Sequence, residues 1–528
     1  MHVRLALILS LVSPLAACGD SDGTAAADTA LADTSGATQD TLAADTTPPP
    51  WTPQTLVERG YVEVRTIIHL HSAFSHDACD DHGLDENGTP DWTCIRRMKA
   101  ALCKEQIGVA FMTDHPNYMD EQPFEALLYP ELDKGDELLE SDGVAWGVRY
   151  PCPDGQGGPD GTVVLVPGFE GTHTMPIGLR QHLADMSHYG VSLVDGTADD
   201  AVDAMTADVR AAGGMVTIAH SEQDELPFSM IAEHDIPLME LYNFHANFNT
   251  VLGDNLASAI FALELFLGTS DKPRADLTAL VMLDTYPTKA LDKWRTVSAI
   301  RPITAFAGSD VHENVIVPAI CAGSSACDDI AIEHPNLVNL LKNGGNIILA
   351  DQERIDAYER IFRWVQNRVM VGPGEALPAG AEVALEAGRN VVVFEVLGDA
   401  VGASILAITG TEAAPEYHDM GSTVHVADGA TLWARSPDVP VPGNNAYWSD
   451  GSSAAMTATL YRTDGDGITA VHSWTEPGTW VSLPLDAPGA YQMEVTLVPR
   501  HLLDELGAAT DLATKSFRWV ETNAVRVE

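Results

Sequence analysis

The chain has 528 residues, of which 76 are Asp or Glu and 29 are Lys or Arg, for a formal net charge of -47. That length exceeds what one hydrophobic core organises, so two folded units with extensions are expected. A surface this acidic repels nucleic acid and anionic membrane, and it leaves an anionic substrate dependent on local compensation by bound cations.

At the N-terminus, Arg4 precedes an apolar run from Leu5 to Val12 that is too short to span a bilayer. Leu15-Ala16-Ala17-Cys18 follows where a signal peptidase cuts, and it resembles the lipobox of bacterial lipoproteins. The resemblance implies that residues 1–17 are a signal peptide and that the chain is exported. Lipidated Cys18 would then attach it to the cell envelope, at the outer membrane. Residues 18–58 read as a disordered acidic tether: six aspartates and no Lys or Arg lie between 19 and 56, with Pro48-Pro49-Pro50 near the end. Six further cysteines permit up to three disulfides in an exported protein. Cys321 and Cys327 are the best local pair, and Cys79, Cys94, Cys103 and Cys152 allow three pairings.

From 59 to 375, apolar runs alternate with amphipathic stretches. Strands are expected at Val64 to Ile68, Val109 to Met112, Val163 to Val166, Met215 to Ala219 and Ile303 to Ala307. Helical patterning covers Cys94 to Gln106, Gly178 to Ser187, Ala198 to Ala212, Leu291 to Ala299 and Ile355 to Arg368. Such alternation argues for parallel βα units, hence a barrel or an open sheet. Segments 78–93 and Tyr150 to Gly161 read as surface insertions. Past Gly372-Pro373-Gly374 the character changes. Residues 376–528 carry short runs, among them Val391 to Leu397, Ser404 to Ile408, Ala455 to Tyr461, Trp480 to Leu485 and Ala490 to Leu497, with helical patterning at His501 to Leu512. That is the signature of an antiparallel β-sandwich. Its Trp433, Trp448, Trp474 and Trp480 are expected in the core rather than as carbohydrate-stacking groups.

The apolar runs of the first unit each end in ligand-type side chains: His69-Leu70-His71, Thr113-Asp114-His115, Gly168-Phe169-Glu170 with His173 behind, Ala219-His220, and Gly308-Ser309-Asp310-Val311-His312. In His69-x-His71 and Asp310-x-His312 the two side chains share a strand face, because the side-chain period is two. Nitrogen and oxygen ligands without thiolate suit Zn, Mn or Fe. The candidates outnumber the ligands of one ion, so two or three divalent metal ions are expected, with Glu170 as the bridging carboxylate.

These blocks resemble the PHP (polymerase and histidinol phosphatase) superfamily of metal-dependent hydrolases. The match comprises His69-Leu70-His71-Ser72-Ala73-Phe74-Ser75-His76-Asp77, Thr113-Asp114-His115, Pro167-Gly168-Phe169-Glu170, Ala219-His220-Ser221 and Gly308-Ser309-Asp310-Val311-His312, in family order. The resemblance implies an α/β fold, a distorted (β/α)7 TIM-like barrel with its metals at the strand ends, followed here by the β-sandwich. It implies His69, His71, His115, Glu170, His220, Asp310 and His312 as ligands. The third ligand of the first block is His76 or Asp77, with His76, next to Ser75, preferred. His173, before Met175-Pro176-Ile177-Gly178-Leu179, matches the family's further histidine, and His182 is the alternative. Asp114, Glu170 and His312 form the expected catalytic set, Asp114 by orienting a ligand histidine or as a general acid. Glu240 and Asn243 are expected to line the pocket or to serve the fold.

The expected activity is hydrolysis of a phosphorylated small-molecule ester by metal-activated hydroxide in a di- or trinuclear site. A carboxylic or carbamate ester or amide hydrolase using the same centre is the alternative. A non-catalytic surface binding protein is a further one. Arg65, Arg180 and Arg301, nearest the clusters in sequence, are expected to be structural charges rather than phosphate clamps.

Overall fold

The computed structural model describes residues 51–254, 256–267, 274–284, 288–317, 335–348, 353–443, 447–507 and 509–528. The signal segment, Cys18, most of the tether and the Cys321–Cys327 pair lie outside the described residues. Among the described residues no helix is long and apolar enough to cross a membrane.

The architecture is mixed α/β, built on one large sheet. Its elements begin with β1 (Val62–Leu70), α1 (Trp92–Lys104), β2 (Val109–Met112), β3 (Thr162–Pro167), α2 (Asp199–Ala211), β4 (Thr217–Ile218), β5 (Leu238–Asn243), α3 (Thr288–Ile300) and β6 (Thr304–Val311). β1 pairs in parallel with β2 and with β6; β3 joins β2, and β5 then β4 join β6, giving the order β4-β5-β6-β1-β2-β3. Alternate residues of these strands, Val64, Ile68, Val109, Phe111, Val164, Val166, Leu238 and Phe306, form one interior cluster. Opposite-facing Ile67, Ala110, Leu165, Met239 and Ala305 join the larger core with the helices. Each fully buried Val, Leu, Ile or Phe adds about 1.5–3 kcal/mol of hydrophobic stabilisation. α1 starts where Asp91 accepts from the Thr93 amide, and it buries Cys94, Ile95, Met98 and Leu102, spaced for one helix face.

Two expected helices of the first stretch, 59–375, differ. The stretch 178–187 does not fold as a helix: Pro176 and the left-handed Gly178 (φ 76°) interrupt its start. Residues 174–179 instead lie between β3 and β4 and bond to both. Leu179 N donates to Pro167 O at 2.9 Å and Phe169 N to Pro176 O at 3.0 Å, while Met175 N donates to Thr217 O at 2.8 Å and Ile177 N to Met215 O at 2.9 Å. The two ends of the parallel order are thereby linked. The stretch 355–368 is helical only over Tyr358–Trp364, after which β7 (Gln366–Val371) runs antiparallel to the first half of β1. Buried partners impose that switch. Asn367 Oδ1 accepts from Ala307 N at 2.9 Å, and Arg368 reaches Glu63 and Asp399, both at 2.9 Å, and Glu395 at 3.1 Å.

Beyond β7, α4 (Ala379–Glu386) places Ala381, Ala384 and Leu385 in the interior cluster, and Thr304 Oγ1 at the start of β6 donates to Leu385 O at 2.7 Å. β8 (Asn390–Val393) pairs with β7 and with Phe517–Thr522, so the large sheet continues into the C-terminal strands Gly489–Val498, Ala455–Asp464 and Gly467–Trp474. A separate four-stranded antiparallel sheet comprises Ala414–Asp419, Ser404–Thr411, Thr431–Arg435 and Trp480–Pro484. The expected helix at His501 to Leu512 is two short 3-10 turns, Arg500–Glu505 and Thr510–Thr514. Trp433 packs edge-on against Trp480 and against Trp51 of the N-terminal segment, and Trp433 and Trp474 are buried. Disulfides join Cys79 to Cys94 and Cys103 to Cys152, resolving the open pairing of those four cysteines.

Candidate metal centre

The strand ends that carry the clusters are irregular in a consistent way. From Ile67 to Leu70, β1 spends three residues against two of β2; from Gly308 to Val311, β6 spends three against two of β1; β5 likewise gains a residue on β6 between Glu240 and Tyr242. These are bulges, which re-aim side chains at the mouth of a sheet. On β1 the effect reverses the facing. Val64 and Ile68 point inward while Ile67 and Leu70 both point to the helices, a spacing of three that regular alternation cannot produce. The bulge sits at His69, whose φ is 65°. Without it, His69-x-His71 would face the helices; the period-two expectation gives the right pairing of the two histidines and the wrong face. His173, His220 and Asp310 also have positive φ, at 62°, 49° and 51°. Each costs on the order of 1 kcal/mol or more, and such strain gathers at functional sites.

The side chains converge. Glu170 Oε1 lies 3.2 Å from His69 Nε2 and 2.6 Å from His220 Nε2, and its Oε2 lies 3.2 Å from His71 Nε2 and 3.5 Å from His115 Nδ1. Asp310 Oδ1 is 3.1 Å from His69 Nε2 and 3.3 Å from His71 Nε2. Three groups have ligand atoms close enough to share an ion: His69, His71, Glu170 and Asp310; His71, Asp77, His115 and His312; and His220, Glu222 and Glu240. The outer nitrogens are held by the protein. His69 Nδ1 donates to Glu240 at 2.7 Å, His71 Nδ1 contacts Ser75 Oγ at 2.8 Å, and His312 Nδ1 donates to Asp310 O at 2.8 Å. That pattern orients the rings and turns each Nε2 inward. His69 Nε2, His71 Nε2, His312 Nε2, Asp310 Oδ1 and Asp77 Oδ1 are buried atoms without a hydrogen-bond partner. Orphaned acceptors at one point are costly unless a cation satisfies them, so the donor set fits divalent metal.

Of the expected ligands, His69, His71, His115, Glu170, His220, Asp310 and His312 come together. In the first block it is the Asp77 carboxylate that joins His71, His115 and His312; the preferred His76 stands beside His115, ring centroids 5.0 Å apart, in none of the three groups. The left-handed run that follows Asp77 turns the loop so that Asp77 Oδ2 faces His312 Nε2 at 3.4 Å. His173 is buried, with Nδ1 unpartnered, and it too is outside the three groups. His182 is bonded to Tyr189 Oη and Gln122 O, away from the cluster. Asp114 does not contact a ligand histidine through its carboxylate. It accepts from Ser72 N and Oγ at 2.5 and 2.6 Å and so braces the loop after β1. Glu240 supports His69 and also accepts from His220 N at 2.7 Å, and Asn243 approaches His220 Nδ1 at 3.3 Å. Gly308 leaves room for Glu240, because an added Cβ would overlap the Glu240 carboxylate and force it to move. Glu222 and His245, whose ring is 5.1 Å from His312, were not singled out from the sequence; for Glu222 the signal was its place two residues after His220.

Burial opposes charge throughout the site, yet the neighbouring imidazoles hold Glu170 and Asp310 well below the usual carboxylate range. Asp77 is likewise lowered, by His312 and His115 against burial. Burial acts against protonation of His71, but the Asp310 and Glu170 carboxylates beside it raise it to about 9. His312 is pushed down to about 3 by burial and by His71. Ligation by these residues therefore requires displacing protons from His71 and its neighbour His69. Arg65, Arg180 and Arg301 are engaged elsewhere: with Glu395, with Glu382, and with the carbonyls of Ile231 and Ile236.

No family model matches the chain, and no curated protein matches it. Among solved structures the chain is similar to a two-domain protein from Bacteroides vulgatus ATCC 8482 containing a predicted PHP-like metal-dependent phosphoesterase. The identity is 12%, the TM-score is 0.32, and the alignment covers 89% of this chain and 97% of that one.

Proposed function

We propose that this chain is a metal-dependent hydrolase of the PHP type that cleaves a phosphate ester, with two or three divalent ions at the ends of a distorted (β/α)7 barrel. One observation carries the reading: the two oxygens of Glu170 each face two imidazoles from different strand ends, while Asp310 closes the same group. His69, Glu170 and Asp310 would hold one ion and Asp77, His115 and His312 another, with the single inward nitrogen of His71 serving one of the two and His220 on the far side of Glu170. Divalent ions bound there supply positive charge that polarises an ester oxygen and makes water nucleophilic near neutral pH.

The chain's own residues do the rest. Glu240, Ser75 and the Asp310 carbonyl keep the three inward nitrogens aimed, so little reorganisation is needed when substrate arrives. Half-exposed His76, Asp77 and His115 mark the open side through which substrate enters. The second reading, a carboxylic or carbamate ester or amide hydrolase, is supported by the engagement of Arg65, Arg180 and Arg301 with other partners, since none of them serves as a phosphate clamp. We also propose export and lipid anchoring at Cys18, supported by the Leu15-to-Cys18 sequence and by two disulfides of the kind an oxidising compartment maintains.

Screening metal-replete protein against aryl phosphomonoesters, phosphodiesters and carboxylic esters tests the function. Turnover of a phosphate ester is expected, falling at least about 100-fold in His71→Ala and in Asp310→Ala. Activity confined to carboxylic esters would select the second reading, and variants as active as wild type would remove both.

A further inference from the structure

We infer that the Cys79–Cys94 cystine is a positioning device for the Asp77 carboxylate, and through it for one ion of the cluster. The inference rests on the metal reading above and is independent of which ester is cut.

Asp77 is the single carboxylate in the group with His71, His115 and His312, and its side chain keeps 31% of its exposure, so packing does little to hold it. The backbone just after it is strained. Cys79, Asp80 and Asp81 have φ of 56°, 60° and 59°, three consecutive left-handed residues without a glycine. L-residues adopt such a run only where the surroundings enforce it. Cys79 N donates to His312 O at 2.8 Å, Asp80 N to Glu313 O at 2.9 Å, and Asn314 Nδ2 to Asp77 O at 2.9 Å. Arg354 donates to both Asp80 oxygens, at 2.5 and 2.9 Å.

Three of those clamps come from residues 312–314, the block that carries a ligand, and Glu313 of that block is itself held to α1 by Arg97, which donates to its Oε2 at 2.6 and 3.1 Å, and accepts from Tyr358 N at 3.3 Å. The disulfide adds a covalent cross-link between the Asp77 loop and that helix. It ties Cys79, two residues from Asp77, to Cys94 in the first turn of α1, where the cysteines are 5% and 1% exposed. The second disulfide, Cys103–Cys152, joins the other end of the same helix to the segment after Val144–Pro151, and neither cysteine belongs to a ligand group. It is therefore an internal control.

The full chain is reconstituted with Mn2+, desalted, and its ions are counted by elemental mass spectrometry. Cys79→Ser/Cys94→Ser is expected to bind one ion fewer than wild type, or to bind its weakest ion at least tenfold more weakly, as is Asp77→Asn. Cys103→Ser/Cys152→Ser is expected to keep the wild-type count. Because the first double variant can fail at folding, the cystine is also removed after folding, in a background with Cys103, Cys152, Cys321 and Cys327 all replaced by Ser. A water-soluble phosphine is oxidised to its oxide with oxygen from water, and the disulfide takes up two electrons and two protons to give two thiols. One ion is then expected to pass to a chelator at least tenfold faster, with the others unchanged. Unchanged counts and release rates overturn the inference. So does loss of all ions together with the near-ultraviolet circular dichroism, which would make the cystine a support of the fold at large. Wild-type protein that holds no ion overturns the metal reading itself, whereas a loaded wild type with an indifferent cystine overturns only the positioning role.

Discussion

His69 shows how much the site depends on single residues outside the ligand set. Its inward nitrogen is aimed by Glu240, and Glu240 has room only because position 308 is glycine. Glu240→Gln keeps the shape and loses the charge-assisted bond to Nδ1, which is expected to weaken metal binding about 10- to 100-fold in a chelator competition. Gly308→Ala is expected to do at least as much, because its Cβ displaces the same carboxylate; unchanged affinity in both variants would mean that Glu240 is not a support of the centre. At this scale the sequence was legible in its residue types and their order. It was not legible in facing, since the bulge that turns His69 and His71 inward leaves no mark on the pattern of apolar and polar residues. The choice between His76 and Asp77 was hidden for the same reason: it depends on three left-handed residues, none of them glycine.

Among elements, β7 joins the two parts of the chain. Its first-unit partner is β1 and its C-terminal partner is β8, and Arg368 within it binds Glu63, Glu395 and Asp399 together. Burial raises Glu395, and Arg368 with Arg65 only partly counters that, so it is a carboxylate short of compensation. Arg368→Met is expected to lower stability by about 3–5 kcal/mol, as for other buried pairs that lose one partner. A urea midpoint within experimental error of wild type would show that Arg65 suffices. α1, β2 and β3 were readable because their periodicity is regular and their ends carry capping or turn residues. The segment 178–187 was misread because its apolar spacing fits a helix, while its amides bond to partners remote in sequence: Leu179 N to Pro167 O in β3, Arg180 N to Ala212 O, and Ala184 N and Asp185 N to the Asp208 carboxylate. Likewise β7 ends a stretch with helical spacing and is made a strand by buried Asn367 and Arg368.

Over the whole molecule, acid sensitivity has a source outside the metal centre as well. His501 packs on Trp448, and burial pushes it down to about 4, with the bond to the Leu397 carbonyl offsetting only part of that shift. In the unfolded chain an ordinary histidine titrates near 6.5, so between about 6.5 and 4 the unfolded state binds more protons. The stability contributed by neutral His501 is therefore complete above that window and is lost as the pH falls through it. The urea midpoint is expected to drop from pH 7 to pH 5, and to drop less in His501→Gln. An equal drop in both would assign the acid loss to other groups. The change of pattern near residue 374 divides the sequence there. The continuity of one sheet across that point, through β7 and β8, was not visible, because strand pairing between distant segments has no local signal.

The central claim is that the side chains gathered around Glu170 hold more than one divalent ion. Metal analysis of protein purified without chelator and reconstituted with Zn2+ or Mn2+ tests it most directly. At least two ions per chain are expected, with loss of at least one in His71→Ala and in Asp310→Ala, while less than one equivalent in the wild-type protein would contradict it.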